Sequence, residues 1–179
     1  MSDIVASPPQ LRQPSRLLTE IEAVEASLIF RVFTADTAWD IGTRLRSLLL
    51  DFDIPTVVSI SLANSDHLLF HCVTGSGTCP DNDSWVARKR ATVLRWGHSS
   101  WWMHNKVDGD ERKFATKYGL GNRAGDFAIH GGGFPIRVQG VEGVVAVVVV
   151  SGLKQEQDHQ VIVEVLREYL DRGDYWREM

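Results

Sequence analysis

The residues of this chain best suited to chemistry gather in one stretch, Asp126 to His159. It holds His130 followed by Gly131, Gly132 and Gly133, a strand-like run, a turn at Gly140 to Gly143, a valine-rich run closing at Ser151-Gly152, and the pair Asp158-His159. An imidazole beside glycines, facing a carboxylate–imidazole pair, is the kind of polar convergence that a small binding site or a general acid/base requires. Spacing from Gln155 predicts a helix to about Leu170, with Val161, Ile162, Val165, Leu166, Tyr169 and Leu170 on its apolar arc. On the same wheel Asp158 and His159 also point inward, one turn from the helix start. Polar groups aimed at a core need partners, and the Gly152 strand end and the His130-Gly131-Gly132 bend are the places to find them. Two readings stay open. Either Asp158 and His159 tie the helix to the bend, or they form a pocket wall with His130, where the helix start favours an anionic group.

Other positions are weighed in the same way. Arg90 falls between Val86 and Leu94 on the apolar side of a helix over Asp81 to Trp96, so it either pairs with a buried carboxylate or reaches a ligand carboxylate or phosphate. Lys89 lies beside Trp85 and Trp96, where it snorkels along the rings or makes a cation–π contact. Gly97-His98-Ser99-Ser100 joins two helices and is either a capped turn or a set of backbone donors for an anion. His67 and His71 share one strand face, but two histidines without a third ligand do not make a metal site. The glycine triplet precedes a strand rather than a helix, which excludes a P-loop or a dinucleotide fingerprint. There is no Gly-x-Ser-x-Gly elbow, no His-Glu-x-x-His and no reactive cysteine pattern.

These residues must be held by a fold, and 179 residues suit one domain with its own core. A net charge of −4 argues against nucleic acid or an anionic membrane as the main partner. The apolar run Val144 to Val150 is too short for a membrane span and too uniformly apolar for a half-exposed strand. It reads as the central strand of a sheet covered on both faces. Two cysteines, Cys72 and Cys79, without metal-type spacing point to a reducing compartment, and the N-terminus lacks a secretory pattern, so a cytoplasmic location is expected.

Residues 1–14 read as a flexible arm and residues 15–179 as a single domain. Ser15 is the expected cap of a helix with Leu17, Leu18, Ile21 and Val24 inward. A strand over Leu28 to Phe33 follows, then a helix from Thr34 or Asp36 to Leu50 whose Gly42 suggests close approach to a neighbour. Thr56 to Ala63 and His67 to Thr74 form a hairpin. Asp81 or Asn82 caps the next helix, and short helices are expected at Trp101 to Met103 and Asp110 to Tyr118, with a loop over Gly121 to Gly125. Two hairpins and their helices amount to an α/β (α+β) fold with one antiparallel sheet of about five strands. Trp101, Trp102 and Met103 read as a subunit contact.

At these same residues the chain resembles a known family. Asp81-Asn82-Asp83-Ser84-Trp85 with Arg88-Lys89, Gly97-His98-Ser99-Ser100, His130-Gly131-Gly132 and Ser151-Gly152-Leu153-Lys154-Gln155-Glu156 with Asp158-His159 resemble the signature of an uncharacterised cytosolic branch of the haem-degrading-domain superfamily, which includes HbpS-like, GlcG-like and PduO C-terminal-like domains. The resemblance spans about Leu17 to Leu170 and looks nearest to fungal members. It implies a profilin-like three-layer α/β/α fold with a five-stranded antiparallel sheet, and higher-order homo-oligomers. Some members of the wider superfamily bind haem or corrinoid-type ligands, so haem enters here by resemblance alone. Fungal relatives are connected with delivery of tail-anchored membrane proteins, which implies protein-targeting factors as partners.

Three functions follow. The first is an oligomer binding a small anionic or cofactor-like ligand, with Arg90, His98, Ser99, His130, Gly131, Gly132, Gly152, Asp158 and His159 as its site and no metal. The second is a non-enzymatic interaction protein in which the polar cluster is structural. The third, an enzyme with His159–Asp158 or His130 as acid/base, lacks a nucleophile or cofactor in the sequence.

Overall fold

A computed structural model describes residues 10–173. They form one five-stranded sheet in the order β1-β4-β5-β2-β3. Here β1 is Ile29–Phe30, β2 Val57–Leu62, β3 Leu68–Val73, β4 Gly133–Val138 and β5 Ala146–Ser151. Neighbours pair antiparallel except at one edge, where Ile29 lies opposite Arg137 and Phe30 opposite Val138 in parallel. The sheet is therefore mostly antiparallel, a correction to the expected wholly antiparallel one. A parallel pair requires a long crossover, and everything from the second helix to the His130 bend lies between these two strands. β1 is also shorter than Leu28 to Phe33, because the chain leaves the sheet after Phe30 to reach the helix cap at Thr34.

The helices are α1 Leu18–Ser27, α2 Ala35–Leu49, α3 Pro80–Trp96, α4 Ser100–Lys106, α5 Glu111–Lys117 and α6 Gln155–Asp171. A 3-10 turn, Gly121–Asp126, stands where a plain loop was expected. α2 and α6 cover one face of the sheet and α3 the other, which produces the three-layer α/β/α arrangement. The lack of alternation in β5 follows from this position. Val148 and Val150 enter the core beneath α2 and α6, whereas Val147 and Val149 pack with Val86 and Val93 of α3.

Local chemistry sets the helix starts. Thr34 and Thr37 form a reciprocal capping box for α2. α3 begins at Pro80, ahead of the expected Asp81 or Asn82 caps, because Asn82 Oδ1 reaches back to accept the Cys79 N–H at 2.9 Å and proline suits a first helical position. α1 begins later than expected. Ser15 Oγ accepts the Leu17 N–H, and Leu17 is 62% exposed instead of inward. Gly42 is a close approach, since a Cβ there would stand 2.4 Å from the Phe70 ring.

Trp101, Trp102 and Met103 are buried, with Phe114, Phe127 and Ile129 in the same cluster, so they are core and not an open subunit surface. Burial is possible because both indole N–H groups are satisfied. Trp101 Nε1 donates to the Ser15 carbonyl and Trp102 Nε1 to Glu22, each at 2.8 Å. Residues 10–14 of the expected flexible arm lie along α6, where the Arg12 N–H donates to Glu164 at 2.9 Å and Leu11 packs on the core. Residues 1–9 lie outside the described residues. Among the described residues no helix is long and apolar enough to cross a membrane.

Candidate functional site

β5 ends and α6 begins at one side of a cleft of about 240 Å³. Its floor is an ion pair. Lys89 Nζ donates to Asp158 Oδ2 at 2.9 Å and to the Val150 carbonyl at 3.0 Å, and both charged side chains are 3% exposed. Asp158 also accepts the Leu153 N–H on Oδ1 at 3.0 Å and the Gly152 N–H on Oδ2 at 3.4 Å. Burial pushes the Asp158 carboxyl up, while Lys89 and the two amides pull it down. Gly132, at φ +116°, makes room for this arrangement. A Cβ there would fall 2.3 Å from the Val150 carbonyl oxygen and 2.7 Å from Lys89 Nζ.

The wall is aromatic. Trp85 and His130 meet edge to face with ring centres 5.0 Å apart, and the Arg88 guanidinium lies 4.5 Å over Trp85. Partial burial lowers the His130 pKa; Glu111 opposes the shift, and Lys89 and Arg88 add to it. Glu111 Oε1 is 3.8 Å from His130 Nδ1, beyond hydrogen-bond reach. Behind the wall His104 stacks on Trp101, with Nε2 3.5 Å from Gln155 Nε2. Four buried side-chain atoms lack a partner among the described residues, and three of them, Arg88 Nε, His104 Nδ1 and His130 Nδ1, belong to this wall or its backing. Native interiors carry few such atoms, and a ligand or water is their ordinary explanation.

The expected site residues divide. His130, Gly132, Gly152 and Asp158 meet at the cleft, and the Gly131 N–H backs it by donating to Gln155 Oε1 at 3.3 Å. His159 does not join them. It lies between Trp101 and Phe134, 5.9 Å from each ring, and borders a different cavity of about 160 Å³ beneath residues 12–15. Burial pushes its pKa down to about 3. Arg90 is committed to the β2–β3 turn through Ser61 Oγ at 2.7 Å, the Leu62 and Ser65 carbonyls at 2.8 and 2.9 Å, and Asp66 at 3.2 Å. His98 and the Ser99 N–H both hold Glu25 of α1 at 2.8 Å, and His98 stacks on Trp102. That junction does bind an anion, but one from its own chain.

Sequence reasoning missed Lys89, Trp85, Asn82 and Gln155 as lining residues. A signal for Lys89 was present. It lies one turn from both Val86 and Val93, which are buried against the sheet, so its stem had to enter the core.

The fold class is a three-layer α/β/α domain with a five-stranded, mostly antiparallel sheet and a polar cleft at the end of its central strand. The model for the haem degrading protein HbpS-like family matches residues 33–167. The UPF0303 protein SCO2848 of Streptomyces coelicolor is 39% identical over 153 residues, covering 86% of this chain and 93% of that one. The UPF0303 protein YBR137W of Saccharomyces cerevisiae is 38% identical over 154 residues, covering 83% and 82%. The chain belongs to the HbpS-like haem degrading protein family, among its UPF0303 members. The crystal structure of Ybr137w protein superposes with a TM-score of 0.82 at 32% identity, covering 92% of this chain and 99% of that one. HbpS itself superposes at 0.56 with 17% identity, over 77% and 89% of the two chains, a likeness of fold.

The family description names haem, but the cleft residues do not fit it within one chain. About 240 Å³ is less than the roughly 300–1,000 Å³ that encloses drug-sized ligands, and a macrocycle needs more. His130 is the histidine at the cleft, and its ring is packed edge to face by Trp85. His98 is held by Glu25 and His159 is enclosed by aromatic rings.

Proposed function

We propose that this protein binds a small anionic ligand in the cleft between Lys89 and the Trp85–His130 wall. The observation that carries this reading is Lys89 itself. An ammonium group has three N–H donors, and two acceptors lie on Nζ among the described residues, the Val150 carbonyl and Asp158. The remaining donor belongs to a side chain that lines the cleft. Gln155 and Glu156 supply the first backbone amides of α6 beside it, where a helix favours negative charge. The volume suits a ligand of fragment size.

Titration calorimetry with acetate, pyruvate and inorganic phosphate tests the reading. Saturable heat with at least one anion is expected, and it should vanish in Trp85→Ala together with Lys89→Met/Asp158→Leu. The paired substitution is chosen because removing Lys89 alone strands a buried carboxylate at about 3–5 kcal/mol, whereas replacing both charges is often neutral. Heat that persists in both variants places the anion elsewhere and overturns the reading.

We also propose self-association through the β3 edge. β3 pairs on one side only, carries no lysine or proline, and exposes Leu68 and Val73. Such an edge is a template for a second copy's strand. Light scattering should give a multiple of the chain mass for the wild type and a smaller species for Leu68→Lys; equal masses would remove this surface from consideration.

A further inference from the structure

We infer that the groove between the end of α3 and the β4–β5 turn is a binding site for a phosphate monoester, separate from the Lys89 cleft and independent of what binds there. The two sites lie at opposite ends of the same elements. The cleft is bounded by Asn82, Trp85 and Lys89 of α3 and by Ser151 at the end of β5, the groove by Leu94 to Gly97 at the end of α3 and by Val144 just before β5. Backbone pairing fixes the far wall, since the Ala63 N–H donates to the Val145 carbonyl and the Val145 N–H to the Ile136 carbonyl, each at 2.9 Å. The volume, about 530 Å³, falls in the roughly 300–1,000 Å³ range of small-molecule sites.

Charge assigns the ligand class. The Lys89 cleft contains Asp158 and the cavity beside His159 contains Glu20, but this groove is lined by Arg95 and Arg137 with no carboxylate. Partners are not scarce in a chain with 23 acidic residues against 19 Lys and Arg. Arg90, Arg123 and Arg172 each have a carboxylate within 3.2 Å, whereas among the described residues Arg95 and Arg137 have none. Arg95 rests on the Trp96 and Phe127 rings, 4.8 and 5.0 Å from their centres, and its N–H groups meet no acceptor among the described residues. Arg137 is half-buried and gives one N–H to the Gly97 carbonyl at the C-terminal end of α3. That helix end carries roughly half a negative charge, so most of the charge of two guanidinium groups is left to be met. Planar N–H forks match phosphate oxygens in pairs, and a phosphate monoester brings close to two negative charges at neutral pH. Leu94, Trp96 and Val144 offer its organic part an apolar wall.

Titration calorimetry of the full chain with phenyl phosphate tests the assignment, with benzoate as the monoanion of the same ring. Saturable heat is expected with phenyl phosphate, at an affinity at least about tenfold above that for benzoate. Arg95→Gln, a change at an exposed helix position, should weaken phenyl phosphate by a similar factor without moving the thermal midpoint. Trp85→Ala, which alters the Lys89 cleft, should leave the heat as it is. Heat that survives Arg95→Gln overturns the inference, and its loss in Trp85→Ala then places the ester in the Lys89 cleft, where anion binding would stand. Equal affinity for benzoate overturns the phosphate class. No heat with phenyl phosphate removes the site, and because that titration is made on the wild type it does not depend on any variant folding.

Discussion

His159 ties acid stability to a single side chain. Unfolded, its imidazole takes a proton near pH 6.5; folded, burial holds off protonation until about pH 3. Between those values the unfolded chain binds the extra proton, so stability falls as the pH falls. Over that window the full loss is on the order of 4–5 kcal/mol at 1.36 kcal/mol per unit. His104 and His130, also lowered by burial, act with the same sign. Asp158, raised by burial, acts with the opposite one, since its contribution is present at low pH and lost as pH rises. Urea denaturation of wild type and His159→Leu from pH 7 to 4 should show a clearly flatter profile in the variant; parallel profiles would mean that the ring is hydrated in the native state. The helical wheel showed Asp158 and His159 turned inward, and both are buried. It could not show that neighbours about 100° apart on a helix serve two different cavities, because that depends on Trp101 and Gly132 arriving from elsewhere in the chain.

Among the elements, the β2–β3 hairpin depends on a residue from a helix. Arg90 of α3 holds Ser61, two turn carbonyls and Asp66. Arg90→Ala should lower stability by about 1–3 kcal/mol by leaving those acceptors short of donors, and Arg90→Lys should recover little because a point ammonium cannot reproduce the planar fork. Equal denaturation midpoints for wild type and Arg90→Ala would refute the clamp. Gly42→Ala should cost about 1–3 kcal/mol through overpacking on Phe70, with partial recovery in Gly42→Ala/Phe70→Leu. The periodicity that placed α2 and marked Gly42 was legible because both lie on one amphipathic face. The partner of Arg90 was not, because its inward direction could be read from the wheel while the turn it meets is fixed only by the register of β2 against β3. The brevity of β1 was hidden too, since Leu28 to Phe33 has strand-forming residues throughout and its length is decided by the Thr34 cap.

At the scale of the whole molecule, β5 is paired on both edges and buried on both faces. Hydrogen exchange should find its amides opening only with global unfolding, while β1 and the outer amides of β3 exchange earlier. Uniform protection across the five strands would contradict a sheet organised around β5. The valine run announced this centre plainly. The parallel edge pair left no trace in the pattern of β1, because two residues are too few to show a pairing direction.

That strand order has a consequence for synthesis. Val57 of β2 waits for Ser151 of β5, and Ile29 of β1 for Arg137 of β4, so as the chain leaves the ribosome the hairpin β2–β3 and the apolar face of α2 emerge well before the strand and the helix α6 that cover them. The nascent chain carries an uncovered sheet half through most of its translation, the interval in which chaperones and premature pairing between neighbouring chains compete for it.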